Sequence, residues 1–273
     1  MRKVFENRWV LVTGASSGLG EELAKRLAQH GAHLVLTARR EDRLENLAAD
    51  LRRVNGTDTV VIPADLARPD GAERVLTALR ERNITISHLV NNAGFGSAGA
   101  FSELDPERES AMVELNVGAV VRLTRGLLGP MLRAADGGVL NVASTAGLQP
   151  VPFMATYAAS KAFVVNFTLA LAAELEGTGV RAMALCPGPV QTGFQAAAGF
   201  QRPALPFAVL TPNRTIRGAL AAYERGEHVY TPGLVNGVQA LAARVLPHGV
   251  LTWAASRTMR RLGRAPAKLG SKG

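Results

Sequence analysis

The chain has 273 residues, enough to bury the core of a full α/β domain, and its 47% hydrophobic and 19% charged residues exclude a disordered chain. A single cysteine, Cys186, excludes an internal disulfide and points to a reducing, cytoplasmic setting, while the five scattered histidines offer no metal-ligand spacing, so no metal is expected. The net charge of +9 is uneven: no acidic residue follows Glu227, where Arg244, Arg257, Arg260, Arg261, Arg264, Lys268 and Lys272 lie, leaving 24 basic against 22 acidic residues before it.

Strand and helix signals alternate from the start. Trp9–Thr13 is a short apolar strand, too short for the core of a secretory leader, and it runs into a glycine-rich turn. Glu21–His30 reads as a helix ended by Gly31, His33–Thr37 as a second strand and Glu41–Val54 as a second helix. Thr59–Pro63, Ile86–Asn91, Gly138–Val142, Val180–Cys186 and His228–Tyr230 supply further strands. Helices are predicted over Asp70–Arg82, over Pro106–Arg133 with an interruption near Pro130, and over Thr156–Glu176. Such alternation predicts one doubly wound Rossmann-type parallel sheet of about seven strands, helices on both faces, spanning residues 1–231. A basic helical extension, 232–273, follows it.

In such sheets ligands bind beyond the carboxyl ends of the strands, and those ends are where the informative residues fall. After the first strand come Thr13, Gly14, Ala15, Ser16, Ser17, Gly18, Leu19 and Gly20, opening into a helix: glycines let the backbone approach a pyrophosphate, and the helix N-terminus offers free N–H groups. The ordinary reading of such a stretch is a tight turn. After the second strand stands Ala38, where an NAD site places an acidic residue, followed by Arg39 and Arg40, which can pair with a 2′-phosphate. Their alternative is a solvated helix start, though cations are disfavoured there. NADP(H) is therefore expected over NAD(H), with Arg39 the stronger candidate. Asp65 and Leu66 follow the third strand and Asn91, Asn92, Ala93 and Gly94 the fourth; read alone, these are a helix cap and a turn. Tyr157 and Lys161 lie four apart on one predicted helix face, and Ser144 follows a buried strand.

In this order and spacing the residues resemble the short-chain dehydrogenase/reductase family from about residue 7 to about residue 195. The resemblance rests on the glycine turn, Asp65, the Asn91–Gly94 turn, Asn116, Ser144, Tyr157 with Lys161, and Pro187-Gly188. It implies a catalytic tetrad of Asn116, Ser144, Tyr157 and Lys161. It also implies cofactor contacts from the glycine turn, from Asp65 to the adenine, from Asn91, Ala93 and Gly94, and from Pro187, Gly188, Val190 and Thr192 near the nicotinamide. Asn116 is expected, on the resemblance only, to hold a water linking Lys161 to solvent. A phenol of ordinary pKa about 10 needs a nearby cation to work near neutrality, and Lys161 is placed to supply one. The activity implied is reduction of a ketone or aldehyde by hydride transfer, with Tyr157 giving the proton and Ser144 holding the oxygen. A non-catalytic NADPH-sensing or scaffold protein is the alternative; loss of Tyr157 or Lys161 would signal it, and both are present.

Residues 193–212 hold one charge, Arg202, among Phe194, Phe200, Leu205, Phe207, Val209 and Leu210, and are expected to form an apolar lid over a hydrophobic substrate or simply a packed loop. In the extension, Gly233–Leu246 and His248–Leu262 read as helices, the first with Leu234, Val238, Leu241 and Val245 on one stripe. That stripe is expected to pack on its own domain or on a partner subunit of a homodimer or homotetramer. Peripheral contact with an anionic membrane is the second reading, and no nucleic-acid motif is present.

Overall fold

The computed structural model describes residues 4–199 and 209–261, and in it strands and helices alternate from Trp9 onward. Strands β1 (Trp9–Thr13), β2 (His33–Thr37), β3 (Thr59–Val61), β4 (His88–Asn91), β5 (Gly137–Val142), β6 (Val180–Leu185) and β7 (Val229–Tyr230) form a parallel sheet in the order β3-β2-β1-β4-β5-β6-β7. The chain leaves β1 outward to β3 and then returns to β4 on the other side. The order therefore reverses between β1 and β4, which opens a crevice at their carboxyl ends.

Alternation along β1 shows why both faces must be covered. Val10 and Val12 pack with Leu23, Leu27, Leu44 and Leu220, from α1 (Gly18–Gln29), α2 (Glu41–Asn55) and α8 (Pro212–Glu224). Leu11 points the other way, into a cluster with Val75, Leu123, Met131 and Leu171, from α3 (Gly71–Glu81), α5 (Ala119–Ala134) and α6 (Ala155–Glu174). The other helices among the described residues are α4 (Pro106–Val113), the single turn α7 (Phe194–Ala197), α9 (Leu234–Val245) and α10 (His248–Arg261).

Two points of the sequence reading are corrected. The helix predicted from Pro106 is broken not near Pro130 but over Glu114–Gly118, where a π-turn separates α4 from α5. The widened turn is bridged by Arg122, 2.6 Å from Glu114, whereas Pro130 removes only one helical hydrogen bond near the end of α5 and is tolerated. Helix α8 had no counterpart in the sequence reading, although Thr211, which accepts from the Arg214 N–H at 3.3 Å, and Pro212 in the first turn are standard start signals. The stripe of the extension stands apart from the domain. Leu234, Val238, Leu241 and Val245 are between 61% and 85% exposed, so this stripe does not pack on its own domain. The opposite side of α9 does: Asn236 and Ala243 are buried there.

Candidate active site at the strand ends

The turn after β1 is built by backbone constraints. Gly14 and Gly18 have φ of +66° and +62°, where side chains are strained, and a Cβ on Gly20 would stand 2.2 Å from the Gly14 carbonyl. Thr13 ties this turn to the next: its hydroxyl donates to the Val90 carbonyl at 3.2 Å and accepts from the Asn92 and Ala93 N–H groups at 2.9 Å each. The Asn92 amide returns the link, donating to the Thr13 carbonyl at 2.8 Å. Ser17, at the N-cap of α1, makes no side-chain capping bond, which leaves the first N–H groups of the helix without that partner, an arrangement suited to an anion.

Arg40 reaches back from the end of β2 over this turn, donating to the Ser16 and Ser17 hydroxyls at 2.9 Å and to the Ser16 carbonyl at 3.3 Å. Arg39 lines the same cavity beside Asp65, whose carboxylate accepts from the Ala67 N–H at 3.1 Å as a local cap.

At the other side of the crevice, Ser144 follows β5 by two residues and caps the 3-10 turn Thr145–Leu148, accepting from the Ala146 N–H at 3.1 Å. Its hydroxyl is near enough to the Tyr157 phenol on α6 to lower the phenol's pKa. The 3-10 turn lies flat on that helix: a Cβ on Gly147 would meet the Lys161 backbone at 2.5 Å. Lys161 donates to the Val142 carbonyl at 2.8 Å, and its Nζ stands 6.0 Å from the Tyr157 ring centre. Both are buried. Burial pushes Tyr157 up to about 12, an effect partly offset by the Ser144 hydroxyl, and pulls Lys161 down to about 8.

Asn116, on the π-turn, is fully buried behind Gly94. Its amide donates to the Phe95 carbonyl at 3.1 Å and the Ser160 hydroxyl at 3.0 Å, and its oxygen accepts from the Phe95 N–H at 3.3 Å. A Cβ on Gly94 would lie 2.9 Å from Asn116 Oδ1 and 3.4 Å from Lys161 Nζ, so these groups converge on that glycine.

One cavity of about 1030 Å³ takes in most of the residues singled out from sequence: Gly14, Ser16, Ser17, Gly18, Leu19, Arg39, Arg40, Asp65, Leu66, Ala93, Gly94, Ser144, Tyr157, Lys161, Pro187, Gly188, Val190 and Thr192. Gly20 and Asn116 support its wall from behind. The Asn91 side chain is not part of this lining. Its amide donates to Asn141 Oδ1 at 2.8 Å and Thr124 Oγ1 at 3.2 Å, in a buried network between strands, so its side chain is committed away from the cavity.

Of the rest of the wall, only Phe194 of the expected lid was singled out in the sequence. Phe95, Val151, Met154 and Phe194 surround Tyr157, with the Phe194 ring centre 5.4 Å from that of Tyr157. Leu251, Ala254, Ala255, Thr258 and Met259 of α10 and Gln239 and Ala242 of α9 close the far side, and Met259 belongs to the same buried cluster as Tyr157. The bridge between Val190 and Leu210 pins the base of the expected lid; Phe200, Arg202, Leu205 and Phe207 lie outside the described residues. No group of metal-ligating side chains occurs among the described residues, and no helix among them is long and apolar enough to cross a membrane.

Comparison with known proteins agrees with this geometry. A family model described as short chain dehydrogenase matches residues 8–202. A very-long-chain 3-oxoacyl-CoA reductase of Anas platyrhynchos is 31% identical over 252 residues, which cover 90% of this chain and 74% of that protein. Among solved structures, a short-chain dehydrogenase from Sphingobium yanoikuyae in complex with NADPH is 33% identical with a TM-score of 0.78, over 88% of this chain and 96% of that one. A structure reporting on 7β-hydroxysteroid dehydrogenase stereoselectivity is 26% identical with a TM-score of 0.81, over 96% of this chain and 98% of that one.

Proposed function

The chain belongs to the short-chain dehydrogenase family and is an NAD(P)-dependent oxidoreductase, and from that premise we propose that it reduces apolar ketones or aldehydes with NADPH. The observation that carries this reading is the gathering of Ser144, Tyr157 and Lys161 in one cavity with Arg39 and Arg40. The residues fit the cofactor. Gly14 and Gly18 hold backbone conformations that clear room at the uncapped start of α1, where a pyrophosphate would be held, and the two arginines stand where a 2′-phosphate would follow. Pro187, Gly188, Val190 and Thr192 would hold the nicotinamide end. When bound, NADPH supplies the hydride.

The chain's own residues then handle the oxygen and the proton. Ser144 and Tyr157 line the same cavity, and a substrate carbonyl oxygen seated between their hydroxyls would accept from both. Burial keeps the Tyr157 phenol protonated at neutral pH, so it enters the reaction as a proton donor to the developing alkoxide. The Lys161 ammonium, fixed by the Val142 carbonyl, stabilises the phenolate left behind. Asn116 positions the Phe95 segment and Ser160, whose hydroxyl donates to the Tyr157 carbonyl at 2.7 Å. The wall of Phe95, Met154, Phe194, Leu251 and Met259 carries no charge that would clamp an anion, which supports an apolar substrate. Partly exposed Val121, Phe163 and Leu169 on α5 and α6 are consistent with a homodimer or homotetramer through these helices.

The test is NADPH oxidation across a panel of apolar ketones, aldehydes, 3-oxoacyl thioesters, steroids and quinones. Consumption of NADPH with an apolar member is expected. Silence across the panel, or equal rates with NADH, would overturn the corresponding part of the proposal.

A further inference from the structure

Helix α9 has two unlike faces. Asn236 and Ala243 are buried, and Gln239 and Ala242 face the catalytic cavity, while Leu234, Val238, Leu241 and Val245 form a stripe open to solvent. Leu246, Val250 and, on α10, Trp253 are exposed as well, the tryptophan at 64%. Scattered exposed apolar side chains are ordinary, but this many within 20 residues, one of them a tryptophan, mark a surface with an occupant.

The charge written into the sequence of this segment selects that occupant. From residue 228 to the end the sequence contains seven Lys or Arg and no Asp or Glu. Arg257, itself exposed, sits with its guanidinium 5.7 Å from the Trp253 ring, which places a cation beside an aromatic residue suited to the headgroup level. A second copy of the chain on this face would bring two strongly basic segments together, and like charges oppose such a contact. A lipid surface carrying negative headgroups satisfies both halves of the pattern, since apolar side chains enter the acyl boundary while cations meet phosphate and carboxylate.

We propose that the outer face of α9 with the start of α10 docks on an anionic lipid surface, the helix lying in the plane of the interface. The docking is independent of the carbonyl chemistry: it is read without cofactor or substrate, so either proposal can fail while the other stands.

The full chain is to be sedimented with phosphatidylcholine vesicles containing about 30% phosphatidylserine, and with phosphatidylcholine alone, at low and raised salt. The expected result is co-sedimentation with the anionic vesicles, weakened roughly tenfold or more by salt or by removal of phosphatidylserine. The triple variant Leu234→Glu, Val238→Glu, Leu241→Glu, whose side chains lie outside the cavity, should stay in the supernatant while keeping the wild-type melting temperature and NADPH binding. A wild type that remains soluble beside anionic vesicles overturns the proposal, as does equal binding to neutral ones. A wild-type dimer that the triple variant splits would overturn it in favour of a second copy.

Discussion

Lys161 holds its ammonium 6.0 Å from the centre of the Tyr157 ring while spending one hydrogen bond on the Val142 carbonyl at the end of β5. The lysine is thus oriented by a strand that also delivers Ser144, and the tyrosine is held between them. Tyr157→Phe removes one hydroxyl and keeps the ring against Phe194. Reductive turnover should fall by about 10²–10⁴-fold, the usual contribution of a placed proton donor, with NADPH affinity by fluorescence titration unchanged. Turnover close to wild type would take Tyr157 out of the mechanism.

The two buried groups shift in opposite directions, which gives the pH dependence a definite sign. Lys161 titrates at about 8 rather than 10.5, so its positive charge is lost as pH rises through 8, and the rate of reduction should decline there. Its burial costs stability in full below pH 8, and the cost fades between 8 and 10.5. Tyr157 keeps its proton up to about 12 instead of 10, so it contributes stability below 10 that is lost as pH rises from 10 to 12. Thermal melting of wild type and Tyr157→Phe across this range checks the second statement: the difference between their melting temperatures should change only above pH 10.

Arg39→Asp should weaken NADPH by about 10–150-fold, from loss of a charge-assisted contact of about 1.5–3 kcal/mol, and leave NADH within a few-fold. Arg40→Ala should also disturb NADH, because Arg40 ties down Ser16 and Ser17. Dissociation constants for both cofactors decide this, and an Arg39 variant that weakens them equally would argue against 2′-phosphate recognition.

Gly147→Ala tests how closely the Ser144 turn must lie on α6. The added methyl would meet the Lys161 backbone at 2.5 Å, so the turn must lift. Overpacking of this kind costs about 1–3 kcal/mol of stability, visible in the melting temperature, and kcat should fall because Ser144 moves with the turn. An unchanged kcat would show that the turn is free to shift without moving the hydroxyl.

Much of this site was legible in the sequence because its chemistry is local. Gly14, Gly18, Arg39, Arg40, Ser144, Tyr157 and Lys161 each sit at a strand end or on the helix beside one, where period and turn signals are strong. The direction of the Asn91 side chain was not legible, because a polar residue at a strand end can face either the crevice or a neighbouring strand, and only the sheet order, which sets Asn141 beside it, decides. The π-turn at Asn116 left no propensity signal, and Pro130 drew attention to the wrong place. The stripe on α9 was correctly seen as one face, but periodicity does not say which face of a helix is inward. Met259 and Leu251 carry no motif at all; their role follows from where the last helix comes to rest.

Met259→Ala opens the apolar wall opposite Tyr157. The Michaelis constant for bulky apolar ketones should rise about tenfold, matching the loss of roughly two methylene-sized contacts at about 0.8 kcal/mol each, while NADPH binding stays at the wild-type value. A rise in the cofactor's dissociation constant instead would assign α10 to the cofactor rather than to the substrate.

The placement of α9 and α10 against the cavity divides the chain in a way that matters for its descent. In the proposed reading, the residues that would grip the nucleotide and move the proton all precede Pro232, while Gln239, Ala242, Leu251 and Met259 of the cavity wall follow it. A genetic crossover near that proline would hand the same reduction chemistry a new appetite, and a gene of this design can diversify its diet by exchanging its final segment alone.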